Sequence, residues 1–261
     1  MDSDSADRQR SILITGAASG IGRATARLFA RKGWFVGCVD VNATALDGLR
    51  NEPGADGGLF RRLDVTDRPA LLEMIDEFAA ATGGTLDLLF NNAGIDANGR
   101  FEAMAWEEIV AVVNVNLLAG LSLIHAAVPR VKATSGSLCL STSSASAIFG
   151  TADLAVYSAT KHAIKGLTEA LSVEFADHGV RAADILPGIF DTGMLPDHQK
   201  ALLPKEGMLR VLPAEAVADA VWAAYQGDKV HWYIPSEVAD YDVEVTRGPE
   251  AARGRRTAGT F

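Results

Sequence analysis

In "YSATK" a phenol, Tyr157, stands four places ahead of an ammonium, Lys161, so in a helix the two share one face, a turn apart. A free tyrosine titrates near pH 10, too high for a base at neutrality. A unit charge about 4 Å away is worth up to ~4 kcal/mol at an effective dielectric near 20, so the spacing predicts a phenol depressed by its lysine. Such a group can take the hydroxyl proton of an alcohol while hydride leaves the carbinol carbon. The same spacing recurs in "YQGDK", Tyr225 to Lys229, where Gly227 interrupts the helix between the two groups. The first copy is therefore the candidate pair.

Those side chains need a scaffold. Strand-like runs fall at 11–15, 35–40, 59–65, 86–92, 136–142, 180–186 and 230–234, and helical patterns at about 20–32, 43–50, 67–81, 104–132, 153–177 and 213–226. Strand–helix alternation of this kind implies a parallel sheet with crossover helices on both faces. The reading is a single α/β domain over 11–246, with loose tails at 1–10 and 247–261. The stretch 190–212, with Pro196, Pro204 and Pro213 in and around it, is the longest irregular insertion and the candidate substrate lid.

The first strand, "SILIT", runs into "GAASGIG" and then a helix. Gly16 makes a tight turn, Gly20 lets a pyrophosphate approach the backbone, and Gly22 permits close helix–strand packing. The helix N-terminus offers free N–H groups and a positive dipole end. Asp40 ends the second strand, where a carboxylate accepts hydrogen bonds from adenosine-ribose hydroxyls and repels a 2′-phosphate. No basic residue follows it in "VNAT", and Ala17 and Ala18 bring none to the loop, so NAD is expected over NADP.

A net charge of −9 argues against nucleic acid or an anionic membrane as partner. The start "MDSDSADRQR" is polar, and no apolar run is expected to approach the ~20 residues that a membrane helix needs. Cys38 and Cys139 lie in apolar runs as free thiols, and the histidines show no ligand spacing, so the expectation is a cytoplasmic protein without a metal.

"TGAASGIG" (15–22), "NNAG" (91–94), "NVNLLAG" (114–120), "STSSASA" (141–147), "YSATK" and "PGIFDT" (187–192) together resemble the short-chain dehydrogenases/reductases in order and spacing, over roughly 11–195. The resemblance implies a single-domain, Rossmann-type, doubly wound sheet of seven strands. It implies catalytic roles for Asn116, Ser144, Tyr157 and Lys161, and an NAD site at Gly16, Ser19, Gly20, Ile21, Gly22, Asp40, Val41, Asp64, Val65, Asn91, Ala93 and Gly94. Pro187, Gly188, Ile189 and Thr192 would form the nicotinamide loop. In the family the serine holds the substrate oxygen, the lysine also contacts the nicotinamide ribose, and the asparagine positions a relay water.

The substrate side reads as Ile95, Ser144, Ser146, Phe149, Leu154, Tyr157, Phe190 and Met194, with Leu202, Leu203, Met208 and Leu209 in the lid. These suggest a largely apolar secondary alcohol or ketone. Two departures stand out: Ala183 replaces an asparagine common before the Pro-Gly loop, and "VHWYIPSEVADYDVEVTRG" replaces the usual C-terminal segment that helps build tetramers. A homodimer through 104–132 and 153–177 is expected, with a tetramer possible. A cofactor-binding regulatory protein without turnover is the alternative; an extended epimerase would need a longer C-terminal substrate domain.

Overall fold

The computed structural model describes residues 8–191, 203–250 and 253. Its strands are β1 (Ser11–Thr15), β2 (Phe35–Asp40), β3 (Leu59–Arg62), β4 (Leu88–Asn91), β5 (Leu138–Thr142), β6 (Arg181–Pro187), β7 (Ile189–Asp191), β8 (Val211–Pro213) and β9 (His231–Ile234). The helices are α1 (Gly20–Arg31), α2 (Ala43–Arg50), α3 (Arg68–Ala81), α4 (Trp106–Val113), α5 (Ala119–Lys132), α6 (Ala155–Glu174), α7 (Ala214–Gln226) and α8 (Glu237–Arg247). Seven strands form one parallel sheet in the order β3-β2-β1-β4-β5-β6-β9. The chain winds outward from β1 to β3, then returns to β4 on the other side. Strand order thus reverses between β1 and β4, and the crevice outside their carboxyl ends is where ligands bind in such sheets.

Side-chain alternation divides the core. Ile12 and Ile14 of β1 pack with Leu88, Phe90, Leu140 and Ile185 on the α1–α7 face. Leu13 points the other way, with Leu89, Cys139 and Ala182, toward α3 and α5. All five residues of β1 are buried, which is why it reads as a continuous apolar run: a sheet covered on both faces needs no polar side. Helix starts are set locally. Asn42 caps α2 through the Ala45 N–H, and Asp67 caps α3 through the Ala70 N–H.

The helical pattern 104–132 is one rod, Trp106–Lys132, long and apolar enough to cross a membrane by length and composition, which corrects the expectation that no stretch of the chain would be. Its buried side, including Leu123, Ile124, Ala127 and Val131, packs against the sheet. A π turn at Asn114–Leu118 separates α4 from α5. Three elements went unread in the sequence: β7 and β8, which pair with each other as a separate two-stranded sheet flanking 192–210, and α8. The last is tied down by Tyr233 Oη donating to Asp242 (2.6 Å), and by ion pairs Lys165–Asp242 (3.5 Å) and Arg210–Glu237 (2.5 Å). Ala183, the departure noted above, is a core residue beside Ile185.

Candidate active site

The glycine loop turns where β1 meets α1. Gly16 has φ of +66° and Gly20 of +47°, a region disfavoured for residues with a Cβ. A Cβ on Gly16 would sit 2.9 Å from the Ala93 Cα, and one on Gly22 would overlap the Gly16 carbonyl. Ser19 makes no side-chain cap and the first turn holds no acidic residue, so the leading amides of α1 stay open to an anion. Asn92 secures the loop: its Nδ2 donates to the Thr15 carbonyl (3.0 Å) and its backbone N–H to Thr15 Oγ1 (3.1 Å). Asp40 sits at the end of β2 with Oδ2 accepting from the Ala18 N–H (3.0 Å) and Oδ1 from the Asn42 N–H (2.9 Å). This cradle fits a dinucleotide's pyrophosphate and adenosine ribose.

Along the same sheet edge, Ser144 follows β5 and Tyr157 and Lys161 occupy the first two turns of α6. The Ser144 hydroxyl neighbours the Tyr157 phenol and favours its ionised form; its Oγ accepts from the Ser146 N–H (3.1 Å). Lys161 is only 4% exposed; its Nζ donates to the Thr142 carbonyl (2.7 Å) and lies 5.5 Å from the Tyr157 ring centroid. Burial pushes the phenol up to about 12, with the Ser144 bond opposing and Asp96 adding to the rise. Burial brings Lys161 down to about 8. Without the nicotinamide charge that was expected to add to that of Lys161, the phenol is raised and not depressed. Desolvation outweighs one amine that spends its hydrogen bond on a carbonyl.

Asn116 lies in the π turn, buried, and clasps Ile95 from both sides. Its Nδ2 donates to the Ile95 carbonyl and its Oδ1 accepts the Ile95 N–H, each at 2.8 Å. A Cβ on Gly94 would lie 3.4 Å from Asn116 Oδ1 and 3.8 Å from Lys161 Nζ, so this glycine keeps the space between them clear. Ser143 Oγ donates to the Lys161 carbonyl (3.1 Å), leaving Ser144 as the serine on the phenol.

The remaining candidates spread around this edge. Val41 is exposed beyond Asp40, Asp64 folds back to accept from the Thr66 N–H and hydroxyl, and Val65 packs into the core beneath. The Asn91 amide turns toward Ser141 and Gly120, while Ala93 donates to Thr15 Oγ1 (3.1 Å). Ile21 packs on the core beside α1. Pro187 ends β6, the Gly188 N–H donates to the Ile234 carbonyl (2.7 Å), and Ile189 pairs with Val211. Ser146 Oγ is buried without a hydrogen-bond partner among the described residues. Phe149 and Met208 gather with Ala145, Ile148, Val238 and Tyr241 into an apolar cluster beside Ser144. Leu154 precedes α6, and Ile95 is 40% exposed.

Phe190, counted as a pocket wall, instead points into the α1–α7 core with Val217 and Val221. Thr192, Met194 and Leu202 lie outside the described residues. Sequence reading missed Thr15, Asn92 and Thr142, whose polar atoms hold the cradle and the lysine, and Val238 and Tyr241 of α8. The second "Y…K" pair is structural. Tyr225 packs edge-on to Trp34 (4.7 Å), Lys229 lies over Trp232, and α7 ends between them at Gln226.

The class that this fold and site define is the nucleotide-dependent oxidoreductase built on a doubly wound sheet. Within it, the chain belongs to the short-chain dehydrogenase/reductase family: the sequence profile of the short chain dehydrogenases matches residues 10–202. Among its relatives is the cyclohexanol dehydrogenase of Acinetobacter sp. (strain SE19), 36% identical over 74% of this chain and 78% of that one. The 2,5-dichloro-2,5-cyclohexadiene-1,4-diol dehydrogenase of Sphingobium indicum is 41% identical over 69% and 72%. The solved structure of a 3-ketoacyl-(acyl-carrier-protein) reductase from Brucella melitensis, complexed with NADH, superposes with a TM-score of 0.79 at 25% identity, over 88% of this chain and 99% of that one. The protein is thus an oxidoreductase acting on CH–OH groups of alcohol- or ketone-type substrates, of a family that uses a nicotinamide cofactor.

Proposed function

We propose that the protein is an NAD(H)-dependent dehydrogenase of an apolar secondary alcohol, ring alcohols foremost, with Tyr157 as the acid–base group. The observation that carries this is the Ser144–Tyr157 hydroxyl pair with the Lys161 ammonium 5.5 Å from the ring, all at the sheet edge that bears the glycine cradle. The bound nicotinamide would supply the hydride acceptor in oxidation and the donor in reduction. In oxidation, the substrate O–H proton passes to the phenolate as the carbinol hydrogen leaves as hydride and the C=O bond forms. Ser144 holds the substrate oxygen within reach of Tyr157. A phenol held near 12 by burial keeps its proton and is suited to donate it to a ketone. Alcohol oxidation needs extra positive charge to release that proton, which Lys161 and an oxidised nicotinamide supply. Asn116 fixes the Ile95 backbone and would help position a water that relays the proton toward Lys161.

NAD is favoured because the Asp40 carboxylate faces the place of a 2′-phosphate. The apolar cluster of Ile148, Phe149, Met208 and Tyr241 next to Ser144 suits an apolar substrate, and two relatives are named for ring alcohols. Exposed Leu118, Leu121 and Val173 on the α5–α6 side support a homodimer. Two buried free thiols suit the cytoplasm. The test is a screen of cyclic and acyclic secondary alcohols, and the matching ketones, with NAD(H) and NADP(H) in both directions. Cyclohexanol-type alcohols with NAD are expected to give the highest kcat/KM; absence of turnover on every alcohol, with cofactor bound, would instead favour a regulatory binding protein.

A further inference from the structure

The adenosine end of the crevice holds a charge that the linear sequence hid. Register pairs Asp40 of β2 directly with Arg62 of β3, so the two side chains leave the sheet edge together. The neighbouring arginine, Arg61, points to the opposite face and is held by Glu73 and Glu77. Arg62 is exposed, and among the described residues no carboxylate lies within ion-pair distance of it. Its Nε donates to the Val41 carbonyl (3.3 Å), which plants the guanidinium beside the residue that follows Asp40.

The nearby acids are occupied otherwise. Asp40 gives one oxygen to the Ala18 N–H and the other to the Asn42 N–H. Asp64 is folded onto Thr66. Arg50 lies over the Phe60 ring, bonds its carbonyl and pairs with Asp47. Among the described residues nothing engages the terminal nitrogens of Arg62, which stands next to the carboxylate proposed to meet the adenosine ribose. Forked N–H donors match phosphate oxygens.

We propose that Arg62 is a latent ligand for a 2′-phosphate on the adenosine ribose, and that the Asp40 carboxylate alone bars that phosphate. On this view, cofactor choice rests on one removable charge set against a cation already in place. The inference rests on the dinucleotide reading of the crevice, and its test separates the two.

Binding of adenosine 2′,5′-bisphosphate and of AMP is measured by calorimetry on the wild type and on D40N, R62Q, D40N/R62Q and D40N/R62K, alongside NADPH and NADH titrations followed by fluorescence. D40N is expected to tighten the bisphosphate at least ~10-fold relative to AMP, with the gain shrinking as salt rises. R62Q in that background abolishes the gain, and R62K restores part of it. Equal bisphosphate affinity in D40N and D40N/R62Q, or no gain in D40N, overturns the proposal. Should D40N fail to fold, D40S and D40S/R62Q take its place, and equal bisphosphate affinity in those two rejects the role of Arg62. A wild type that binds neither AMP nor NADH refutes the dinucleotide reading itself; normal AMP binding with no dependence on Arg62 refutes only the latent site.

Discussion

At the scale of single residues, the site is a contest between burial and charge. Tyr157 and Lys161 are both driven toward their neutral forms, to about 12 and about 8, because each loses water on folding. Replacing Tyr157 with Phe deletes the proposed proton donor and keeps the ring. We expect kcat to fall by at least ~100-fold in both directions, with cofactor affinity close to wild type, as read by steady-state kinetics and fluorescence titration. The lysine gives a second outcome, for the cofactor-free protein. Its folded value of about 8 lies below the reference 10.5, so between those limits the unfolded chain binds the proton that the folded chain has shed. Stability must then rise with pH from about 8 toward 10.5. Over pH 8–10 the gain is on the order of 2 kcal/mol, and chemical denaturation should lose this rise in Lys161→Met. An unchanged slope in that variant would show that the amine is not desolvated.

Elements place these groups, and two local irregularities matter most. The glycine loop lets α1 start against the sheet with its amides uncovered, and Gly22 has no room for a methyl beside the Gly16 carbonyl. Gly22→Ala is accordingly expected to abolish measurable NADH binding while leaving a folded protein, as judged by circular dichroism and fluorescence titration; retained binding would remove the loop from the cofactor site. The π turn is the second. By widening one turn it brings the buried Asn116 amide to the Ile95 backbone, where both polar atoms are used. Arg210, just before β8, is joined to helix α8 through Glu237.

For the whole molecule, the long rod Trp106–Lys132 is the telling feature. Only a third of its most apolar window is buried, and Leu118 is 50% exposed, Leu121 37% and Val173 74%. A second copy against this side would cover them, at the roughly 800 Å² per partner of a standard interface. Leu118→Glu with Leu121→Glu is expected to halve the mass seen by light scattering while the far-ultraviolet circular dichroism stays native. A wild type that is monomeric at micromolar concentration would reject the dimer.

Much of this protein was legible in the chain. Fully buried strands read as apolar runs, because a sheet covered on both faces demands them; the glycine loop read as a cradle because only glycine accepts its turns. "YSATK" stood apart from "YQGDK" because Gly227 breaks the second helix. What stayed hidden depends on neighbours distant in sequence. The Asn116–Ile95 clasp and the Asp40–Arg62 pairing join residues about 20 positions apart. Phe190 read as pocket because nothing local reveals that it is buried in the α1–α7 core, and α8 went unread because Val238, Tyr241 and Val245 are a thin i, i+3, i+7 stripe in an otherwise mostly polar and charged stretch. Periodicity and backbone stereochemistry are local and can be read from the chain. Desolvation, and the identity of the charge across the strand, exist only once the sheet is assembled.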